Sequence, residues 1–355
     1  DKRDPSAAKA RLAEIREAID GIDGDILDLL NRRASLALEV GQVKESQGGT
    51  FYVPSREEDL VRRLQDANPG PFPGQAIRPV WKEIISASLN LEKKLVISYL
   101  GPEATFTHQA ALKHFGSSFD MTSARSISEV FHDVETERAD YGVVPVENST
   151  EGMVSHTLDN FMDSPLKISG EVEMRISHHL LVAEHTDRDN ITRICAHQQA
   201  LAQCRTWLDR HWPNVEREAV SSNGEAARLA SQVSGVAAIA GDMAAEQYHL
   251  DKLAEHIEDC ADNTTRFLVI GREEVPPCGR DKTSIIVSSR NRPGALFDLL
   301  EPFRTGGVSL TRIDTRPSRT EKWAYVFFIE FEGHLQDDNI AAIISELEEQ
   351  SILLK

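Results

Sequence analysis

The chain has 355 residues, of which 57 are acidic and 39 are basic, and its formal net charge is −18. This length predicts two or three domains, and the negative charge argues against nucleic acid or an anionic membrane surface as a partner. No apolar run is long enough to cross a membrane, and the first residues lack the apolar core of a signal peptide, so we expect a soluble, cytoplasmic protein.

Cysteine and histidine residues give no sign of a metal site. The four cysteines have no C-x-x-C spacing, which disfavours a disulfide framework in a chain of this length. His178 and His179 are neighbours in a predicted strand and should point to opposite faces, so joint metal ligation is not expected. We predict neither a metal nor a cofactor.

The first predicted domain, residues 1–94, begins with one long helix over about 6–44. Its apolar positions step by three and four residues, which is a heptad seam. The seam consists of Leu12, Ile15, Ile19, Ile22, Ile26, Leu29, Arg33, Leu36, Val40 and Val43. At ~1.5 Å per residue this helix is longer than a small domain is wide. We therefore predict that a second copy of the chain covers the seam in an intertwined dimer.

Two shorter helices should follow. One begins at Pro54, with Ser55 and Glu58 in capping-box positions, and ends before the breaker run 68–74. The other covers about 75–92, and it places Ser88 and Glu92 on its apolar face.

Polar groups on that apolar face need partners, and basic side chains of the same domain can supply them. The candidates are Arg16, Arg33, Lys44 and Arg56, with the acid Glu57 beside the last of them. A guanidinium is costly to bury unpaired, so Arg33 in the seam predicts a bound dicarboxylate that gives it two oxygen partners.

The segments around these residues resemble the all-helical chorismate mutases. The matching motifs are NRR, which ends at Arg33, VGQVK, which ends at Lys44, and RE at positions 56–57. The resemblance implies rearrangement of chorismate to prephenate in a rigid cage, without a nucleophile. It implies that substrate is held by Arg33, Arg56 and the partner chain's Arg16, and that Lys44 and Glu92 face the ether oxygen.

Two positions depart from the pattern of that family. Val53 stands where Asp is frequent, so one contact to the substrate hydroxyl is missing or made by the backbone. Glu92 stands where the best-known members have Gln, and an ionised carboxylate would repel the developing oxyanion, so Glu92 must be protonated to donate. An alternative interpretation is that this domain only dimerises the chain.

The second predicted domain, residues 95–276, alternates strands, turns and helices. This pattern is typical of an α/β fold, whose ligands bind beyond the carboxyl ends of strands. The expected strands are 95–100, 141–146, 177–183, 191–196, 236–240 and 266–270. After the second of these, Ser149 or Thr150 is expected to cap a helix, so that Glu147 and Asn148 lie with them at a helix N-terminus suited to a small anion.

Four segments of this domain resemble prephenate dehydratase, a two-lobed fold similar to periplasmic binding proteins. They are GPEATFTHQAA, VVPVENSTEG, AHQQALAQC and TTRF, in that order. The resemblance implies that prephenate loses CO₂ and its ring hydroxyl, with Thr265 as the partner of that hydroxyl. The implied substrate-binding residues are Thr105, Asn148, Ser149, Thr150, Gln203, Arg266 and Phe267.

The proton donor of this reaction stays open at the level of sequence. A threonine donates a hydrogen bond but is a very weak acid, so Glu147 or a water can share the role. Arg266 is a natural carboxylate clamp if its side chain enters the cleft, although a strand residue there can equally face away. Ala104 stands where the family has Gly, which implies that position 104 does not need a positive φ.

The third predicted domain, residues 281–355, follows Pro276–Pro277 and has the order β-α-β-β-α, which predicts a ferredoxin-like fold. NRPGALF at 291–297 and TRIDTRP at 311–317 resemble the phenylalanine-binding ACT domain. The resemblance implies that L-phenylalanine binds against a neighbouring subunit and shifts enzyme activity. The implied effector-binding residues are Asn291, Gly294, Ala295, Leu296, Asp314, Thr315 and Arg316.

Together these patterns predict a multidomain fold: an all-α domain, a two-lobed α/β domain and an α+β ACT domain. The resemblances predict a bifunctional enzyme that converts chorismate to prephenate and then to phenylpyruvate under inhibition by phenylalanine, as a homodimer or tetramer. The alternatives are arogenate as the dehydratase substrate, and a non-catalytic protein that senses an amino acid.

Overall fold

The computed structural model describes residues 5–47, 52–290, 292–318 and 325–355. Its contacts divide the chain into two units. The first comprises Asp1–Ile97 with Ala111–Thr122, and the second comprises Ser98–Ala110 with Ser123–Lys355. Within the described ranges, no helix is both long and apolar enough to cross a membrane.

The first unit is built on helices α1 (Pro5–Gln47), α2 (Pro54–Asp66) and α3 (Gly74–Glu92), which confirms the three predicted helices. The seam of α1 faces solvent in the single chain. Ile22, Leu29 and Leu36 are 58%, 59% and 61% exposed. An apolar stripe of this length is unusual on a monomer, and it is the surface for which the sequence predicts a second copy.

The capping box predicted at the start of α2 is not formed by the described residues. The N-cap is Val53, whose side chain has no atom that can accept a hydrogen bond. Glu58 instead accepts two hydrogen bonds from Arg78 of α3, at 2.6 and 2.7 Å. The fixed φ of Pro54 suits the first helical position and starts the helix without a cap.

The remaining elements form two α/β lobes and a smaller C-terminal domain. The strands are β1 (Val96–Leu100), β2 (Asp120–Ala124), β3 (Tyr141–Asn148), β4 (Gly152–Met153), β5 (Lys167–Arg175), β6 (His179–Ala183), β7 (Arg193–His197), β8 (Glu216–Val220), β9 (Val236–Ala240), β10 (Leu250–Ala254), β11 (Thr264–Gly271), β12 (Lys282–Ser288), β13 (Leu310–Pro317), β14 (Tyr325–Glu332) and β15 (Leu353–Leu354). The helices are α4 (Phe106–Phe115), α5 (Ile127–Glu135), α6 (Ser155–Asp163), α7 (Gln198–Gln203), α8 (Arg205–His211), α9 (Asn223–Gln232), α10 (Asp242–Gln247), α11 (Ala295–Thr305) and α12 (Asp338–Gln350).

Each lobe has its own sheet. The first has the order β2-β1-β3-β11-β5, with β4 paired to β3, and the second has the order β10-β6-β9-β7-β8. The chain leaves the first sheet after β5 and returns at β11, so 176–178 and 255–263 cross between the lobes. The two crossings hold each other through main-chain hydrogen bonds from Ile176 to Asn263 at 2.8 Å and from Ile257 to His178 at 2.9 Å.

The predicted strands of this domain are present. The prediction omits four longer strands, and all four are edge strands of their sheets. β2 and β5 are the edges of the first sheet, and β10 and β8 are the edges of the second. Edge strands are less buried, and their charged residues weaken the apolar pattern by which a strand is recognised. In β5, for example, the residues alternate between exposed and buried along most of its length.

The polar turn after β3 corrects one expectation. β3 continues through Asn148 and turns back as β4, with Glu147 opposite Met153 and Asn148 opposite Gly152. Helix α6 begins only at Ser155, with Val154 as its N-cap. Ser149 and Thr150 therefore belong to a hairpin turn and do not cap the helix, so the predicted anion site at a helix N-terminus is wrong.

A second correction concerns Ala104. Its φ is 60°, in the left-handed region that alanine rarely adopts. The expectation of an ordinary backbone at this position was wrong. The main-chain N–H of Ala104 donates to Nδ1 of His108 at 3.2 Å, and this bond helps to hold the unusual conformation.

The C-terminal domain has the predicted ferredoxin-like order, with α11 between β12 and β13, and α12 after β14. Its sheet order is β13-β14-β12-β15. Leu299 and Phe303 of α11 are buried against Ile329 and Phe331 of β14 in one core cluster. The two helices cover one face of the sheet, as the sequence predicts.

Candidate functional site

Four of the residues predicted for the helical domain meet between α1 and α3. Arg33 donates to Ser88 Oγ, and Lys44 Nζ lies 3.1 Å from Glu92 Oε2. The helices come close at Gly41, where a Cβ atom would lie 3.0 Å from the Cα atom of Glu92. Because the two helices are close here, cationic side chains of α1 reach hydrogen-bond acceptors on α3.

The charges of this group are partly removed from water. Burial lowers the pKa of Arg33, the attraction of Glu92 opposes this, and the nearby charge of Arg56 lowers it further. Burial raises the pKa of Glu57, against the effect of its ion pair with Lys82 at 2.8 Å. Lys82 was not among the predicted residues. Cations that are desolvated before a ligand arrives are typical of a site for a carboxylate substrate.

Arg16 does not join this group within its own chain. It is exposed on α1, and the helix rise places it ~25 Å from Arg33 along the axis. Arg56 is also exposed, although its charge acts on Arg33. The contribution of Arg16 to a second copy stays a prediction.

In the two-lobed domain, β3 and β11 bring the two predicted walls of the cleft together. β11 is antiparallel to β3, so its first residues lie beside the last residues of β3, with Thr265 opposite Asn148. Asn148 Nδ2 donates to Thr265 Oγ1 at 2.8 Å. Two segments separated by more than a hundred residues in the sequence thus meet at one hydrogen bond.

The amide of Asn148 can have only one orientation. Its Oδ1 accepts from the main-chain N–H groups of Thr150 at 3.0 Å and Glu151 at 3.3 Å. A main-chain N–H can only donate, so the atom facing it must be the oxygen. The two protons of Nδ2 then go to Asn263 Oδ1 and Thr265 Oγ1, both at 2.8 Å. Because Thr265 Oγ1 accepts, its own proton is available for another acceptor.

Other predicted residues surround this pair. Gln203 of α7 donates from Nε2 to Thr150 Oγ1 at 3.3 Å and to Glu151 Oε1 at 3.2 Å. Ser149 Oγ accepts from the main-chain N–H of Thr264 at 2.9 Å. Thr105 donates to the carbonyl oxygen of Pro102 at 3.0 Å, so its hydroxyl is engaged in its own turn.

Glu147 and Arg266 are engaged by the C-terminal domain and Phe267 is buried, so their predicted roles in the cleft stay predictions. Successive strand residues point to opposite faces, and Glu147 faces Arg312 of β13, to which it is ion-paired. Arg266 lies 2.5 Å from Glu330 of β14 and 3.8 Å from Glu147. Phe267 is 1% exposed and belongs to the core.

Asn263 and His178 are buried beside the site, and neither was assigned a specific role from the sequence. They are 1% and 2% exposed. Asn263 bonds to Asn148 and Gln203, and His178 Nε2 lies 2.9 Å from Gln203 Oε1. Both lie on the crossings between the lobes, immediately before β6 and β11. The signal for Asn263 was its place directly before the TTRF motif, whereas His178 lies inside a predicted strand and gave no such signal.

The first half of the predicted effector site lies beside a cavity of about 460 Å³ in the C-terminal domain. Ala295 lines this cavity, as do Arg292 and Asp298, which form an ion pair at 2.5 Å. Gly294 has a φ of 83°, which glycine adopts without strain. Leu296 is 40% exposed, and the predicted contact at Asn291 lies outside the described residues.

The second half of the predicted effector site is elsewhere in the chain, on β13. Arg316 donates to Asp159 Oδ1 at 2.8 Å and to Ser155 Oγ at 2.9 Å, and both acceptors belong to α6. Asp314 lies 3.8 Å from Arg312, and Thr315 is exposed. The described residues of one chain therefore do not bring the two halves of this site together.

Comparison with known proteins matches three family profiles in the order of the domains. The profile "Chorismate mutase type II" matches residues 15–93, "Prephenate dehydratase" matches 97–275, and "ACT domain" matches 283–349. They match the helical, two-lobed and ferredoxin-like domains in turn.

Curated relatives match over nearly the whole chain. A bifunctional chorismate mutase/prephenate dehydratase of Pseudomonas aeruginosa is 51% identical, over 98% of this chain and 97% of the relative. One from Aquifex aeolicus is 45% identical, over 97% of this chain and 96% of the relative. Among solved structures, a prephenate dehydratase of Arthrobacter aurescens in complex with L-Phe is 33% identical, covers 74% of this chain and 88% of its own, and has a TM-score of 0.68.

Proposed function

The chain belongs to the family of bifunctional chorismate mutase/prephenate dehydratases, and from this premise we propose how its residues carry the two reactions. The helical domain is the chorismate mutase, and the two-lobed domain is the prephenate dehydratase. Prephenate is the product of the first reaction and the substrate of the second. Our proposed domain bounds are 1–94, 95–276 and 281–355.

The mutase reaction is a rearrangement within one molecule, so the protein has to hold the reactive conformer and stabilise charge on the ether oxygen. In our proposal the substrate carboxylates are bound by Arg33, Arg56 and the partner subunit's Arg16. Lys44 and Glu92 face the ether oxygen. Ser88 and Glu57 orient these charged groups, since Ser88 bonds to Arg33 and Glu57 acts on it through its charge.

In the dehydratase reaction the electrons of the bond to CO₂ flow into the ring, which becomes aromatic as the hydroxyl leaves with a proton. We assign Thr265 as the hydrogen-bond donor to that hydroxyl. The hydrogen bond from Asn148 to Thr265 carries this assignment, because it leaves the threonine proton free. Threonine is too weak an acid to release the proton easily, so Thr265 supplies only the hydrogen bond, and the departing hydroxide takes up its proton from the solvent to leave as water.

The substrate-orienting groups in this proposal are neutral donors around the hairpin turn. They are Asn148, Ser149, Thr150 and Gln203, with Thr105 at the edge of the cleft. Glu147, Arg266 and Phe267 are not assigned to substrate binding in this proposal, since the first two are ion-paired with β13 and β14 and the third is buried.

The C-terminal domain is proposed to bind L-phenylalanine and to inhibit the dehydratase. The prephenate dehydratase of Arthrobacter aurescens, whose structure is similar, was solved with L-Phe. We place the ligand between two copies of the chain, with Asn291, Gly294, Ala295 and Leu296 from one and Asp314, Thr315 and Arg316 from the other. The separation of these two groups within one chain supports a site shared by subunits.

The exposed seam of α1 supports a homodimer, or a tetramer built from such dimers. We also propose that the enzyme works in the cytoplasm, because all four cysteines are free thiols, as is typical of a reducing compartment.

One assay tests the function. The chain is incubated with chorismate, and prephenate and phenylpyruvate are followed by chromatography, with and without L-phenylalanine. We expect both products to form in sequence and the second to be suppressed by L-phenylalanine. Arogenate in place of prephenate tests the alternative substrate.

The variant Thr265→Ala tests the dehydratase site within the same assay. Loss of the donor should lower phenylpyruvate formation by roughly a hundredfold, the lower range for one positioned donor, while prephenate formation continues. Near-normal phenylpyruvate formation by a folded variant would remove Thr265 from the mechanism.

A further inference from the structure

The buried pair Asn263 and His178 extends the hydrogen-bond chain that begins at Thr265. Through Asn148, Asn263 and Gln203 it runs from the first lobe to the second and ends at the His178 ring. Both buried residues sit on the crossings that join the lobes. This series of hydrogen bonds therefore links Thr265 to the two crossings between the lobes.

The donors and acceptors of this chain can be assigned in turn from Asn148. Since Asn148 Nδ2 donates to Asn263, the facing atom of Asn263 is Oδ1, and its Nδ2 donates to Gln203 Oε1 at 3.0 Å. Gln203 Oε1 is thus an acceptor. The His178 nitrogen that lies 2.9 Å from the same oxygen, Nε2, must carry a proton.

The His178 ring is neutral in this arrangement. Burial lowers the pKa of His178, although its bond to Gln203 and the charge of Glu258 oppose this. With its proton on Nε2, the neutral ring has a bare Nδ1, and this atom is buried without a hydrogen-bond partner among the described residues. The ring packs edge-on to Phe106 at 5.5 Å. Among the described residues, the ring therefore makes a polar contact only to Gln203.

Because Asn263 and His178 both donate to Gln203 Oε1, the Gln203 amide has only one favourable orientation. In this orientation its Nε2 faces Thr150 and Glu151. A flipped amide would point its Nε2 protons at the donors of Asn263 and His178. We propose that His178 is a positioning residue of the dehydratase site, which together with Asn263 holds the Gln203 amide so that its nitrogen faces the hairpin turn. This inference rests on the proposed role of Gln203 in orienting prephenate.

Two variants separate the hydrogen bond from the packing of the ring. His178→Phe keeps a ring without a donor, and His178→Gln can place an amide nitrogen near the position of Nε2. We expect His178→Phe to lower the dehydratase kcat/KM by roughly tenfold, as loss of one orienting hydrogen bond does. His178→Gln should recover most of that loss, and mutase activity should be unchanged in both.

A double-mutant cycle tests whether His178 acts through Gln203. In a Gln203→Ala background, His178→Phe should have no further effect, because the group that it positions is gone. A residue with a merely structural role would cause the same loss in both backgrounds, and such additivity would overturn the proposal. Wild-type rates in His178→Phe would also overturn it.

A measurement on the wild-type protein covers the case in which the phenylalanine variant does not fold. In ¹⁵N-histidine-labelled protein, the His178 signals, identified by their loss in His178→Gln, should show a neutral ring protonated on Nε2. A proton on Nδ1 would overturn the proposal. If the wild-type chain makes no phenylpyruvate from prephenate, the proposed function itself fails, whereas an active wild type with an insensitive His178 contradicts only this inference.

Discussion

Glu92 and Lys44 form an ion pair at 3.1 Å in the mutase domain, and the carboxylate side chain is only 9% exposed. The ether oxygen of chorismate needs a hydrogen-bond donor as negative charge gathers on it, and an ionised carboxylate cannot donate. We therefore propose that Glu92 carries a proton in the active form of the mutase site.

We predict that mutase activity falls as pH rises and that Glu92→Gln removes most of the fall. In the wild type the donor is lost when the carboxyl group loses its proton, whereas an amide donates at every pH. The measurement is initial prephenate formation between about pH 5 and 9. Glu45→Gln, an exposed change on the same helix, is the control, and an unchanged profile in Glu92→Gln would refute the idea.

His114 is a second residue whose charge state matters, here for stability. It packs edge-on to Tyr52 and Phe115, and burial lowers its pKa from 6.5 to about 3. Between these values the unfolded chain holds a proton that the folded chain does not. The resulting stability is complete above pH 6.5 and is lost as pH falls, by roughly 1.4 kcal/mol per unit.

His114→Phe should therefore flatten the acid side of the stability profile. Between pH 7 and about pH 4.5 the wild type should lose about 2–3 kcal/mol more than the variant. Urea unfolding of both proteins at the two pH values measures this difference. Equal losses in the two proteins would show that the folded state admits the proton.

At the scale of elements, β3 carries two neighbouring residues into different surroundings. Asn148 faces the cleft and bonds to Thr265, while Glu147 faces β13 and is ion-paired with Arg312. Arg266 of β11 lies opposite Glu147 and faces the same side of the sheet. Burial opposes its charge, but its hydrogen bond and ion pair with Glu330 raise its pKa. The C-terminal domain thus contacts β3 on the face opposite to Asn148 and its hydrogen bond to Thr265.

We predict that Arg312→Ala weakens inhibition by L-phenylalanine. Inhibition requires contacts that differ between the active and inhibited states, and Arg312 joins the effector domain to β3. Loss of ~1–2 kcal/mol of coupling would raise the half-inhibiting concentration by roughly 5- to 30-fold.

The measurement is dehydratase inhibition as a function of L-phenylalanine, and the uninhibited rate should stay within about threefold of the wild type. Arg304→Ala is the control, since Arg304 pairs only within α11, with Glu301, among the described contacts. Wild-type inhibition of Arg312→Ala would exclude this route of coupling.

At the scale of the whole molecule, the uncovered seam of α1 predicts separable effects on the two activities. Ile22→Asp places a charge in the seam and should prevent dimer formation, and it should also remove the partner subunit's Arg16 from the mutase site. Mutase activity should fall by at least about tenfold, whereas dehydratase activity should persist. Light scattering gives the mass, and the chorismate and prephenate assays give the rates.

Leu38→Asp is the matched control for the seam. Leu38 is also apolar and exposed, at 44%, but the heptad places it on the side of α1 opposite the seam. It should leave both mass and mutase activity unchanged. Full mutase activity in a monomeric Ile22→Asp would contradict the role of Arg16.

Much of the fold follows from local patterns in the sequence. The heptad of α1 and the continuous apolar runs of β3 and β9 suffice because each buried element carries its own period. The edge strands β2, β5, β8 and β10 escaped prediction because charged residues interrupt that period. The capping box of Ser55 and Glu58 failed because Arg78 of α3 binds Glu58 and Val53 is the N-cap. The cap at Ser149 failed because the short strand β4 follows that residue.

The sequence by itself determined the order of the three domains and their resemblance to known families, and it predicted that the segments around Asn148 and Thr265 belong to one site. Only the tertiary structure decided that Glu147 and Arg266 face the C-terminal domain, and that Asn263 and His178 complete the site from the crossings between lobes. The physical reason is that the apolar period of a helix or strand is set by residues that are neighbours in the chain. The residues that bury a side chain and those that bond to it come from segments far away in the sequence.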